Sequence, residues 1–288
     1  MLEPLLFTST TGTVLTQKKP QKKKVTIADR MDRHVLYQQS VQNVDFELEF
    51  MRNTYRDLRG QAPLSLREDF CGTALASAHW VAQDKDHTAM AVDIDPDVLQ
   101  WSRDNILPTL KKKQRERLEL VEGNVLTVAN EPVDVIQAFN FSYWCFQERR
   151  TMLEYFTRCH AGLKDDGLLF LDAYGGHEAY QCQVEEREVD DFIYIWEQAS
   201  FNAVTCEQRC HIHFRFKDDS EMREAFTYVW RIWGAKELRE ILEEAGFSKT
   251  TLYLQAFDDE TEEALDEYIA TDEAEDFACW LGYIVAEK

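Results

Sequence analysis

Two short stretches, read together, limit how this chain can fold. Leu66-Arg67-Glu68-Asp69-Phe70-Cys71-Gly72-Thr73-Ala74 reads as a strand entering a small-residue turn and then a helix. Ala91-Val92-Asp93-Ile94-Asp95-Pro96 reads as a second strand with an acid at its C-terminal end. In an open α/β sheet, such a pair builds a nucleoside pocket. The turn lets a ligand approach the backbone, and the acid takes ribose hydroxyls.

The rest of the pattern agrees. Strands are expected at Leu64–Glu68, Thr88–Val92, Leu118–Glu122, Val133–Ala138 and Leu168–Ala173, and helices at Thr73–Gln83, from Pro96 to about Ile106, and at Gln147–Leu163. Asp95, Pro96 and Asp97 are cap, first-position and first-turn residues suited to a helix start. Alternation of this kind means βαβ units and a parallel sheet with helices on both faces. After Gly176 the rhythm changes. Phe192–Ser200, Thr205–Lys217 and Met222–Trp233 read as consecutive strands, an antiparallel ribbon inserted over about 177–233. A helix, Ala235–Ala245, stopped by Gly246, and two strands, Thr250–Gln255 and Cys279–Ala286, complete the chain.

The expected organisation is a mobile basic tail (1–25), an N-terminal helical cover (26–62) broken near Asn43, and a main domain (63–288). The acidic stretch 258–276 is expected to be a solvated helix or loop.

Charge narrows the partners. With 53 acidic against 32 basic residues the net charge is −21, which disfavours duplex DNA and bulk RNA and suits a small or cationic substrate. The basic run Lys18–Lys24 is the exception. Seven cysteines without a disulfide spacing point to a reducing cytoplasm. No apolar run is long enough to cross a membrane, and Met1–Leu15 lacks the basic region of a signal peptide. A homodimer is compatible with the sequence. Cys206, Cys210, His211 and His213 suggest a metal, but on a strand the cysteines and histidines face opposite ways, so no metal is expected.

Aligned on Cys71-Gly72-Thr73, the first turn resembles that of class I S-adenosylmethionine-dependent methyltransferases, with Phe70 and Ala74 where that family usually has glycines. The run Leu36–Gln42, with Tyr55–Gly60 and Leu66–Ala74, is similar to a bacterial subgroup of the family. The resemblance implies a Rossmann-like seven-stranded sheet with its last strand antiparallel, N-terminal helices folded over the cofactor, and the inserted ribbon (about 177–233) closing with them over the substrate. S-adenosylmethionine would be bound by Tyr37, Glu68, Asp69, Cys71, Gly72, Ala74 and Asp93. Ile94 would pack on the adenine, and Asn124, beside Val125, would accept from its amino group. The exit of the fourth strand, Ala138, Phe139, Asn140 and Phe141, would lie beside the methionine half, where aromatic rings attract a sulfonium by ~0.5–2 kcal/mol.

Open α/β sheets bind ligands beyond the carboxyl ends of their strands, which puts Asp172, Tyr174 and His177 near a substrate. His177 is the first candidate for proton acceptor, with Tyr174 and Asn140 as further catalytic candidates. The expected activity is N- or O-methylation of a small molecule by in-line displacement. Methylation of a protein or RNA, supported by the basic run, and a non-catalytic cofactor-binding role are the alternatives.

Overall fold

A computed structural model describes residues 25–257, 264–274 and 276–288. The expected basic tail, apart from Val25, lies outside these residues.

The chain begins with two helices. α1 (Arg33–Ser40) starts where the Asp32 carboxylate accepts from the backbone N–H groups of His34 and Val35. α2 (Val44–Arg59) buries Val44, Leu48, Met51 and Tyr55, one stripe at helical spacing, and ends at Gly60 in the left-handed region. Strands and helices then alternate: β1 (Ser65–Asp69), α3 (Leu75–Gln83), β2 (Thr88–Asp93), α4 (Pro96–Asn105), the one-turn α5 (Lys112–Arg115), β3 (Leu118–Glu122), β4 (Val133–Ala138), α6 (Arg149–Gly162) and β5 (Leu163–Gly175). Asp95 caps α4 by accepting from Asp97 N–H at 2.9 Å.

Four strands follow, β6 (Gln183–Val189), β7 (Phe192–Asn202), β8 (Glu207–Phe216) and β9 (Glu221–Arg231), in an antiparallel sheet of order 6-7-8-9. The inserted ribbon therefore has one more strand than expected. β6 pairs through its backbone while exposing almost every side chain, so it carries little apolar signal. α7 (Ala235–Glu244), β10 (Lys249–Phe257), β11 (Ala264–Ala270) and β12 (Trp280–Glu287) complete the chain.

The main sheet has the order 11-10-12-5-4-1-2-3. Strands β3, β2, β1, β4 and β5 are mutually parallel, and β12 lies antiparallel between β5 and β10. This gives the seven strands expected plus an eighth, β11, on the edge beside β10. Part of the acidic stretch expected to be a helix or loop is thus an edge strand, a place where charge suits an unpaired flank. Residues 258–263 lie outside the described residues.

Two cores sandwich the sheet. One packs α6 and α7 on it through Met152, Phe156, Leu238 and Ile241, and the other packs α2, α3 and α4 through Leu48, Met51, Trp80 and Leu99. A third cluster joins Leu36 of α1 to Phe192, Ile212 and Phe214 of the inserted sheet, which holds cover and insert together. The strand order reverses between β1 and β4, and the crevice of a doubly wound sheet opens there, at the carboxyl ends.

Candidate active site

Two cavities meet above this crevice. The larger, about 520 Å³, is walled by the β1–α3 turn, the ends of β2 and β4, α1, and Glu224–Tyr228 of β9. The smaller, about 330 Å³, lies under the inserted sheet among Tyr174, Tyr194, Trp196 and Trp230. Both volumes suit small ligands.

The β1–α3 turn explains the wall of the larger cavity. Phe70, Gly72 and Ala74 all have left-handed backbone, φ +57°, +52° and +56°. Phe70 keeps this glycine-like conformation at a cost of roughly 1–2 kcal/mol, with its ring held by Phe146 and Tyr155. The space a Cβ on Gly72 would enter is open. The N–H of Gly72 donates to Asp93 Oδ2 at 2.7 Å, and Asp95 N–H donates to Asp93 Oδ1 at 2.9 Å. The turn and the acid are therefore physically joined, as the paired motifs require. Burial holds the Asp93 carboxyl above its ordinary range.

The two acids of β1 point to opposite faces, as successive strand residues must. Glu68 accepts from the backbone N–H and the hydroxyl of Ser77 at 2.9 and 2.5 Å, and burial pushes its carboxyl up to about 7. Asp69 borders the cavity, but its carboxylate is committed to Arg67 at 2.7 Å and the Tyr155 hydroxyl at 3.0 Å, both buried. Its expected part in ligand binding gives way to a structural one, because a buried carboxylate and guanidinium must neutralise each other.

The β4 exit repeats the left-handed geometry. Asn140 and Phe141 have φ +57° and +55°, and their N–H groups converge on the Asp172 carboxylate at 2.5 and 2.9 Å. Asp172, pushed up to about 7 by burial, was expected to face a substrate and instead fixes this loop.

Of the expected cofactor residues, Glu68, Asp69, Cys71, Gly72, Asp93 and Phe139 line the larger cavity and Tyr37 lines both, as does the catalytic candidate Asn140. Six stand elsewhere. Ala74 and Ala138 are fully buried in packing. Phe141 lines the smaller cavity, as does the catalytic candidate Tyr174, whose hydroxyl donates to Gln208 Oε1 at 2.7 Å. Asn124 spends Oδ1 on the Leu126 N–H at 2.9 Å, and Val125, buried, lends its carbonyl to Arg67. Neither lines a described cavity. Ile94 projects beside Asp93 with 68% of its surface exposed.

His177 lines neither cavity. Its side chain is 56% exposed on the turn after β5, and Nδ1 lies 3.8 Å from Asp276. It has no geometric claim to act as a proton acceptor.

Several wall residues had no sequence signal. Glu47 of α2 is 8% exposed, and burial pushes its carboxyl up to about 8. Gln137, inside β4 and 2% exposed, has an Oε1 without a partner among the described residues, and so has Gln42 Oε1. A glutamine within the apolar run Val133–Ala138 is the one hint the sequence carried. Buried acceptors left unpaired cost about 1–3 kcal/mol each, so this end of the cavity is suited to a donor. Tyr194, Trp196, Tyr228 and Trp230 come from the insert, which was expected over the substrate, but none of these rings was singled out in the sequence.

The fold is similar to that of solved S-adenosylmethionine-dependent methyltransferases. An S-adenosylmethionine-dependent methyltransferase from Clostridium acetobutylicum superposes with a TM-score of 0.60 at 14% identity, covering 88% of this chain and 96% of that one. CalS10, an amino pentose methyltransferase from Micromonospora echinaspora, gives 0.61 at 12% identity, covering 88% and 95%. DesVI from Streptomyces venezuelae gives 0.62 at 12%, again covering 88% and 95%. No family model matches the chain, and no curated protein does. Among the described residues no helix is long and apolar enough to cross a membrane.

Proposed function

We propose that the protein is an enzyme that transfers a methyl group from S-adenosylmethionine to a nitrogen or oxygen of a small molecule. The observation that carries this reading is the Gly72–Asp93 contact at the mouth of a cavity that runs on to unpaired buried acceptors.

The wall residues fit the cofactor along its length. Each oxygen of Asp93 accepts one backbone N–H and keeps a further lone pair for ribose hydroxyls. Ile94, exposed beside it, offers an apolar surface to the base. Gln137 Oε1, Gln42 Oε1 and Glu47 supply acceptors and a carboxyl for an ammonium. When bound, the cofactor supplies an electrophilic methyl on a sulfonium. The chain's own part is placement and dryness. Phe139 and the Asn140–Phe141 loop, pinned by Asp172, hold the β4 exit rigid, while α1 and β9 close the cavity from above. Holding the nucleophile about 3–3.5 Å from the methyl carbon supplies up to about 7–11 kcal/mol of barrier reduction through orientation alone.

The smaller cavity takes the acceptor. Its aromatic walls suit a compact organic body, and the chain's acidity suits one without multiple phosphates. Two of the similar proteins are named for sugar-like acceptors, CalS10 as an amino pentose methyltransferase and KedS8 from Streptoalloteichus as a sugar N-methyltransferase, which agrees with a small acceptor here.

Asp93→Ala tests the reading. Calorimetry should show S-adenosylmethionine bound at least about tenfold more weakly, with the free protein still folded by circular dichroism. Equal affinity in the variant and the parent would remove the central contact of the site.

A further inference from the structure

The inserted sheet turns one face to the smaller cavity, and that face is graded from charged to aromatic. β6 and β7 pair antiparallel in the register Gln183–Gln198, Glu185–Trp196 and Arg187–Tyr194, and all six residues line the cavity. They are alternate residues of each strand, so their side chains share one face. Farther across, β9 adds Tyr228 and Trp230. Tyr228 stands with Tyr37 and Asn140 on the walls of both cavities, and these residues form the seam between them. β6 and β9 are the two edges of the inserted sheet, three strand spacings or roughly 14 Å apart. The smaller cavity thus has a charged rim at one edge, rings in between, and the cofactor cavity beyond the other edge.

Among the described residues lining this cavity, Arg187 is the one cation and Glu185 the one anion. Both are exposed at the rim. Arg187 lies over the Tyr194 ring at 5.4 Å and donates from Nη2 to the Ser40 carbonyl at the end of α1. Most of its N–H donors stay free for a planar acceptor. Glu185 Oε1 accepts from Gln183 Nε2 at 3.0 Å, which leaves Oε2. Neither charge joins an ion pair among the described residues, whereas Glu186, on the opposite face of β6, is taken by Arg215. Two residues apart on one strand, Arg187 and Glu185 stand roughly 7 Å apart at the backbone, close enough for both side chains to reach one small head group. A ligand with an acid alone meets Glu185 as a like charge, and one with an amine alone meets Arg187 so. A zwitterion satisfies both. Beyond the rim, Tyr228 stacks on Trp230 at 4.5 Å and Trp196 lies 5.9 Å from Trp230, walls that suit a flat apolar body.

We propose that the acceptor carries an amino-acid head, its carboxylate held by Arg187 and its ammonium by Glu185, and that its side chain crosses the rings to bring a nitrogen or oxygen to the seam. This rests on the methyltransferase reading above and adds the class of the acceptor and the residues that select it. At the seam the lone pair of that atom forms the bond to the methyl carbon as the methyl–sulfur bond breaks. The pair of the broken bond stays on sulfur, and the acceptor's proton leaves to solvent. Arg187 and Glu185 choose and anchor the acceptor at the end away from the transfer.

Three ligands with one body test this without the acceptor being known. Phenylalanine carries both charges, phenethylamine lacks the carboxylate, and phenylpropionate lacks the amine. Calorimetry at neutral pH on the full chain saturated with S-adenosylhomocysteine should show phenylalanine bound about fivefold or more tightly than either, the upper range for a charge pair in contact with water. Arg187→Gln should abolish the preference over phenethylamine and keep that over phenylpropionate. Glu185→Gln should do the reverse. Arg187→Lys, which keeps the charge, should retain most of the preference. A merely structural role at the end of α1 would weaken all three ligands by one factor and leave their ratios intact. Equal binding of the three, tighter binding of either singly charged ligand, binding of none, or unchanged ratios in either glutamine variant overturns the proposal while leaving the cofactor site standing. Should one variant not fold, the other decides. If the parent does not bind S-adenosylhomocysteine, the methyltransferase reading itself falls, and the same three ligands on the free chain still decide whether the rim selects a zwitterion.

Discussion

Glu47 has the clearest consequence for acid–base behaviour among single residues. Burial lifts its carboxyl from 4.5 to about 8, with Asp172 adding a smaller push in the same direction. The folded chain thus keeps a proton that the unfolded chain gives up. Stability from this group is full below about pH 4.5 and is lost as pH rises through about 8. Glu68 and Asp172, each near 7, have the same sign. Glu47→Gln keeps the shape and removes the titration. Its urea midpoint should therefore gain on that of the parent between about pH 5 and about pH 9, and a constant difference would show that Glu47 does not hold a proton in the fold. No local pattern marks this group, since a glutamate on a helix is usually solvated. Asp93 was readable because it stands at a strand end about 20 residues after the turn, the position that chemistry requires. Asn124, at an equally suggestive strand end, folds back on its own backbone, as asparagine in a turn often does.

Elements that were legible share one property: a one-sided or continuous apolar pattern. β4 buries all six of its residues, and α2 carries its stripe. β6 and β11 were not legible, because edge strands satisfy half their backbone with a neighbour and leave polar side chains in water. The insert hangs from β5 by Gly176, whose φ of +102° turns the chain there. A Cβ at this position would lie 2.4 Å from the Ala278 carbonyl oxygen and 2.7 Å from that of Phe277. Backbone cannot yield as a flexible side chain does. Gly176→Ala should therefore cost about 1–3 kcal/mol in urea unfolding, and a loss too small to measure would mean that the junction relaxes freely.

For the molecule as a whole, the two cavities exist only because cover and insert meet above the sheet. Leu36 packs with Phe192, Ile212 and Phe214, Gln38 donates to Thr73 Oγ1 at 2.7 Å, and Trp101 Nε1 donates to Asp32 at 2.7 Å, tying α1 to the insert, the β1–α3 turn and α4. A ligand filling the larger cavity would bridge all of these. Hydrogen exchange with S-adenosylhomocysteine bound should slow in α1, the β1–α3 turn and β9 and stay unchanged in β10 and β11. Protection spread evenly over the chain would mean that the ligand stabilises the fold without closing this roof.

The order of strands and helices, the position of the turn at Gly72 and the acid at Asp93 followed from the chain alone, because hydrophobic periodicity and turn chemistry act between residues close in sequence. Which carboxylates face a ligand did not. Asp69 turned to Arg67, Asp172 turned to the β4 loop, and Glu47 arrived from a helix far away in sequence. Burial, pairing and the meeting of Tyr37, Asn140 and Tyr228 are fixed by contacts between distant segments, and only the packed fold sets those.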